Sequence, residues 1–177
     1  MDEILKEIYS NPDFMEIVRD LVQHETVLQM KQFRQHYRTT CFDHCIVASY
    51  YCYLICRKHG WDYVSCARAA MLHDLFLYDW RKRENGRKVL HALTHPRTAY
   101  ENACKITELN DRETDIILKH MWPVTLSFPK YKESYVLTLV DKFCAMSEVF
   151  EDLSRRHAMT HFLRYACFFL SAVMIHI

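Results

Sequence analysis

Glycine is nearly missing from this chain: only Gly60 and Gly86 occur in 177 residues. Tight hairpins and phosphate-cradling loops depend on residues that tolerate positive φ. A hairpin-rich sheet and a Gly-rich nucleotide loop are therefore both poor fits. Apolar residues at helical spacing remain as the dominant pattern, and the expected fold class is all-α, a single-domain helical bundle over residues 1–177. Half of the residues are hydrophobic, which at this length is enough for a substantial core.

The helices can be placed from their punctuation. Asn11-Pro12-Asp13 reads as a turn and cap opening a long amphipathic helix over about 13–35, with Phe14, Ile17, Val18, Leu21, Val22 and Leu28 inward. A second helix over about 42–58 should stop at Gly60. Asp62 can cap the next, whose apolar positions Val64, Ala67, Met71, Leu72 and Leu75 carry the 3.6-residue period into MLHDLFLYDW, residues 71–80. The charged stretch DWRKRENGRK, 79–88, reads as a solvated loop. Pro96 suits the first turn of a helix and makes His95 a helix-entry residue, separated from His91 by a break. Asn110 with Glu113 predicts the cap of a helix ending near His120 and stopped by Pro123. Two further helical patterns cover about 132–150 and 154–175.

A net charge of +1 gives no global reason to expect nucleic acid or an acidic membrane as partner. The N-terminal MDEILKEIYS is acidic and lacks the basic region and apolar run of a secretory signal, so a cytoplasmic location is expected. The tail from Tyr165 to Ile177, YACFFLSAVMIHI, is shorter than the roughly 20 residues that span a bilayer. It is expected to form a terminal helix packed on the core or on a second subunit, as in a homodimer, rather than a membrane anchor. The eight cysteines form no CxxC pair and read as reduced core residues. Cys41 and Cys45, four residues apart and so on one helical face, could share a site.

Against this apolar background five ionisable residues face the wrong way. Neighbours three and four positions away share a helical face. His44 has Cys41, Val47 and Ala48; His73 has Ala69, Ala70, Phe76 and Leu77; Asp74 has Ala70, Met71, Leu77 and Tyr78. Asp141 has Leu137, Cys144 and Ala145, and His120 follows Ile116 and Ile117. One inward histidine is ordinarily a hydrogen-bonded core residue. Buried aspartates, however, cost several kcal/mol each unless a cation compensates them. Together the imidazoles and carboxylates make a nitrogen and oxygen ligand set for one or two divalent transition-metal ions, Fe, Mn, Ni or Zn. Consecutive helical side chains point about 100° apart, so His73 and Asp74 can clasp an ion between them. Asp74 is expected to bridge a first site with His44, His73 and Asp141 to a second with His95 and His120.

The ordered set His44, His73-Asp74 and Asp141 resembles the H…HD…D pattern of the HD superfamily of metal-dependent phosphohydrolases, over about residues 35–150. His95 in HPRTA and His120 in KHMWP resemble the extra histidines of its binuclear members, which include cyclic dinucleotide phosphodiesterases and dinucleoside tetraphosphatases. LVDKFCA around Asp141 is similar to the segment carrying the last aspartate. The resemblance implies an all-helical HD domain, a metal centre and hydrolysis of a phosphate ester or anhydride. The chain departs from it at Leu77, where many hydrolytic members carry a lysine three residues after the aspartate. The GYP signature is missing as well.

The expected activity is hydrolysis of a small phosphorylated substrate, a nucleotide, by metal-activated water, with Asp74 and His91 as catalytic residues. Arg38, Arg81, Trp122 and Lys142 are the candidate substrate contacts. Trp80, Tyr78 and Trp122 follow the ligands closely enough to stack on a base. Arg81, Lys82, Arg83, Arg87 and Lys88 can rim an anionic pocket, or simply form an exposed loop. Two other classes stay open: a catalytically silent metal-binding or signalling module, and a diiron oxygenase of the same superfamily.

Overall fold

A computed structural model describes residues 2–36, 39–81 and 91–157. Among these, the architecture is an all-α bundle with one small antiparallel ladder. The helices are α1 (Asp2–Ser10), α2 (Pro12–Val22), α3 (Glu25–Leu28), α4 (Cys41–Lys58), α5 (Tyr63–Leu72), α6 (His91–Ala103), α7 (Asp111–Lys119) and α8 (Lys132–His157). A 3-10 turn at Gln29–Gln32 leads into β1 (Arg34–His36), which pairs with β2 (Thr39–Thr40).

The centre is α4. It buries residues on all sides, from Phe42, Cys45 and Ile46 to Tyr50, Cys52 and Tyr53, the behaviour of a helix enclosed by others. Its main neighbour is α5, whose Ala67, Ala69 and Ala70 are completely buried. Small side chains let the two backbones approach, and the Ser49 hydroxyl donates to the Ala67 carbonyl at 2.7 Å. α8 packs on α4, α7 lies against α5 and α8, and α6 lies against α7. α2 closes the other side with Phe14, whose ring meets Tyr50 edge-on at 5.1 Å.

The local signals for helix ends hold where a side chain satisfies a terminal backbone group. Asn11 accepts from the Phe14 amide, Asp62 from Ser65, and Asn110 with Glu113 forms a complete capping box. α4 ends with Gly60 at φ 64, and the Trp61 amide reaches back to the Cys56 carbonyl at 2.9 Å.

Four sequence expectations need correction. The helix expected over 13–35 ends at Val22, because His24 turns the chain and caps α3 by accepting from the Thr26 amide. α5 stops at Leu72, so His73 is its C-terminal cap and Asp74 lies beyond it; Val64 is exposed rather than inward. α6 spans His91–Ala103 with Pro96 inside it, so His91 and His95 belong to one continuous helix. Pro96 has no amide hydrogen to give the Ala92 carbonyl. α8 runs without a break to His157. The cysteines are free thiols, buried except for the exposed Cys104; Cys167 lies outside the described residues. So do Arg38, Lys82, Arg83, Gly86, Arg87, Lys88 and the apolar tail. No helix among the described residues is long and apolar enough to cross a membrane.

Candidate metal centre

All six residues expected to face a metal are buried, and their side chains converge in one cluster. Five elements supply them. His44 sits in the first turn of α4 and Asp141 in the middle of α8, which packs on it. His73 and Asp74 leave the C-terminal end of α5, His120 caps the C-terminal end of α7, and His95 comes from α6.

The helix ends do more than place these groups. A helix leaves its last carbonyls without intrahelical partners. His73 Nδ1 lies 2.7 Å from the Ala70 carbonyl and His120 Nδ1 lies 2.7 Å from that of Ile117. His95 Nδ1 is 3.0 Å from the His91 carbonyl. A carbonyl only accepts, so each of these nitrogens carries a proton and each Nε2 faces the interior. His44 is oriented differently: its Nδ1 lies 2.8 Å from Glu148 Oε1, a buried carboxylate two turns beyond Asp141 on α8.

The inward atoms are crowded. His95 Nε2 and His120 Nε2 are 2.8 Å apart. Asp141 Oδ1 is 3.1 Å from His44 Nε2 and 3.6 Å from His73 Nε2. Asp74 directs its oxygens to two sides: Oδ2 accepts from Gln35 Nε2 and lies 3.6 Å from His73 Nε2, while Oδ1 lies 3.3 Å from His95 Nε2 and 3.7 Å from His120 Nε2. Acceptors packed against acceptors repel unless a proton or a metal ion lies between them.

Protons resolve part of the conflict. Burial lowers the proton affinity of His44, but Asp141 and Glu148 outweigh it and hold the imidazole well above its ordinary range. Burial opposes ionisation of Asp74 too, yet His73, His95 and His120 bring its carboxyl down to about 2. Asp141 is held well below the carboxylate range against the same burial, by His44 and His73. His120 goes the other way: burial, then His73 and His95, push it down to about 3. His73 Nε2 and Asp74 Oδ1 remain buried without a hydrogen-bond partner. A cation satisfies both, and the donor set fits one.

Two groups of ligand atoms have the compactness of a coordination shell: His44, His73 and Asp141, and His73, Asp74 and His120, with the atoms of each group within 4.8 Å of one another. His73 belongs to both groups, but with its Nδ1 on the Ala70 carbonyl it has one ligand atom, Nε2, and can serve one ion at a time. Buried His and Asp clusters able to hold a metal ion are a property of this fold.

Around the cluster, His91 stacks on His95 at 4.5 Å between ring centroids and on Trp80 at 5.6 Å, and its Nδ1 is 3.1 Å from the Tyr78 hydroxyl. Trp80 donates to the Gln35 carbonyl. Lys142 is half-buried and donates to the backbone carbonyls of His120 and Thr138 at 3.2 Å. Arg81 pairs with Asp79. Trp122 packs against Phe128 and Tyr135, both exposed on the outer side of α8 and its leading loop. Leu77 adopts φ 47 and packs against the core.

Sequence reasoning missed Glu148 and Gln35. Glu148 follows Asp141 by seven residues and Cys144 by four, so helical spacing puts it on their face and could have found it. Gln35 was placed at the end of a helix; only the ladder of β1 carries it to Asp74. Comparison of the chain with protein-family models, curated proteins and solved structures returns no match.

Proposed function

We propose that the protein is a metal-dependent phosphohydrolase of HD type that cleaves a phosphate ester or anhydride in a small substrate, a nucleotide. One observation carries the reading. Four imidazoles have their Nδ1 hydrogens committed outward and their Nε2 atoms turned in toward two buried carboxylates. That is the preparation metal-ligating histidines ordinarily show.

His44, His73, Asp74, His95, His120 and Asp141 would hold one or two ions of Fe, Mn, Ni or Zn. A bound divalent ion supplies Lewis acidity, which acidifies water and neutralises charge on phosphoryl oxygens. The chain's own groups do the positioning. Gln35 holds Asp74 by its Oδ2 and leaves Oδ1 facing His95 and His120. His91, held by the Tyr78 hydroxyl and stacked on Trp80, borders the cluster and can pass a proton to the leaving group. Lys142 places a cation beside the backbone of His120. Tyr78 and Trp80 offer aromatic surface for a base.

Leu77 favours a second reading, a silent metal-binding module, because the apolar side chain stands where hydrolytic HD members carry a cation and is packed on the core. A panel of mononucleotides, dinucleoside polyphosphates and sugar phosphates, assayed for phosphate release with Mn²⁺, Fe²⁺, Ni²⁺ or Zn²⁺, separates the two. Nucleotide turnover lost in Asp74→Ala supports hydrolysis. Turnover of sugar phosphates alone defeats the nucleotide assignment. Metal binding without any phosphate release defeats the enzyme; O₂ consumption by the iron-loaded form would then mark an oxygenase.

A further inference from the structure

The two ligand groups are built differently, and Glu148 makes the difference. Three of the four inward histidines rest their Nδ1 on a neutral backbone carbonyl. Only His44 rests on a carboxylate, Glu148 Oε1 at 2.8 Å. That carboxylate is buried, and its other oxygen, Oε2, has no hydrogen-bond partner among the described residues. A buried anion with half its acceptor capacity unused needs positive charge close by. The imidazole it holds can supply it, because a cation on Nε2 polarises the ring and strengthens the Nδ1–H bond to Oε1. The same contact fixes the His44 tautomer and the aim of its ring toward Asp141.

The charge balance follows. The His44, His73 and Asp141 group has one carboxylate among its ligands and a second behind one of them. The His73, Asp74 and His120 group, with His95 at its side, has a single carboxylate, and Gln35 already occupies one of that carboxylate's oxygens. We infer that Glu148 is a positioning residue that makes the His44, His73 and Asp141 position the tighter of two unequal metal positions, so that it fills first and the position beside His95 and His120 fills second and exchanges freely. This rests on the metal reading above and adds the order of loading.

The test is calorimetric titration of metal-depleted full-length protein with Zn²⁺ and with Mn²⁺, comparing wild type, Glu148→Gln, Glu148→Ala and His95→Ala, each first checked for native circular dichroism. Wild type should bind in two steps. Glu148→Gln keeps an acceptor for His44 but removes the charge, and should weaken the tight step by about 10-fold; Glu148→Ala should weaken it toward about 100-fold, the upper range for outer-shell partners of metal-bound histidine. His95→Ala should weaken only the second step. In the Zn²⁺-loaded protein the His44 ring ¹⁵N shifts supply an independent readout: wild type and Glu148→Gln should report an Nδ1–H ring bound through Nε2, and Glu148→Ala a departure from it. An unchanged tight step in both Glu148 variants, equal loss in both steps, or a single-step wild-type isotherm overturns the inference while leaving metal binding intact. No binding by wild type overturns the metal reading with it.

Discussion

Replacing Asp74 by Asn removes one charge from the cluster while keeping the shape of the side chain. In the folded chain the Asp74 carboxyl lies at about 2, because His73, His95 and His120 overcome the burial that would otherwise raise it from 3.8. At about 1.4 kcal/mol per pH unit, that difference amounts to roughly 2–3 kcal/mol in favour of the ionised form. Asp74 is almost wholly buried, so solvent screening takes little from this figure. Metal-free Asp74→Asn should therefore unfold more easily than metal-free wild type at pH 7 by that amount, or by about 5–10 °C in a protein of this size.

The sign of the pH dependence is fixed as well. A carboxyl depressed by folding stabilises fully above its unfolded value and loses the contribution as pH falls through the folded one. The difference between the two proteins should thus be present at neutral pH and close between about pH 4 and 2. Thermal unfolding by circular dichroism in a chelator-treated pH series measures it. A variant as stable as wild type at pH 7, or a difference that persists undiminished at pH 2, would refute the electrostatic account of the cluster.

Other perturbations probe the framework that delivers the ligands. Asn110→Ala breaks the capping box of α7 and should cost about 1 kcal/mol in urea denaturation; no loss would mean that the cap does not help set the helix that ends in His120. Gly60→Ala meets no atom within 4 Å, so its cost is the left-handed backbone alone, about 1–2 kcal/mol, and a neutral result would count against the Gly60 turn as described. Phe14→Ala empties a fully buried site between α2 and α4 and should lose about 3–5 kcal/mol by the same measurement; a loss under 1 kcal/mol would contradict the packing.

Much of this was legible in the sequence because the signals are local. Asn11, Asp62, Asn110 and Gly60 act within four residues of where they stand, and each marks a helix end in the structure. The inward direction of His44, His73, Asp74, His120 and Asp141 could be read from helical neighbours, and all five are buried. What failed was continuity. The apolar period of α5 continues in the sequence through MLHDLFLYDW, but the carbonyl of Ala70 bonds the His73 ring and the chain turns there, with Leu77 in the left-handed region. Pro96 looked like a boundary, yet α6 passes through it and stacks His91 on His95. Contacts between elements far apart in the chain, Glu148 with His44 and Gln35 with Asp74, have no local signal because tertiary packing alone creates them.

The central claim is that imidazoles and carboxylates from five elements share a bound cation. Elemental analysis of full-length protein, purified without chelator and exhaustively dialysed, addresses it most directly. One to two equivalents of a transition metal in wild type, falling below about a tenth of that in a folded His73→Ala variant, is the predicted result. Folded wild-type protein that carries no metal, and takes up none from micromolar Zn²⁺ or Mn²⁺, would contradict it.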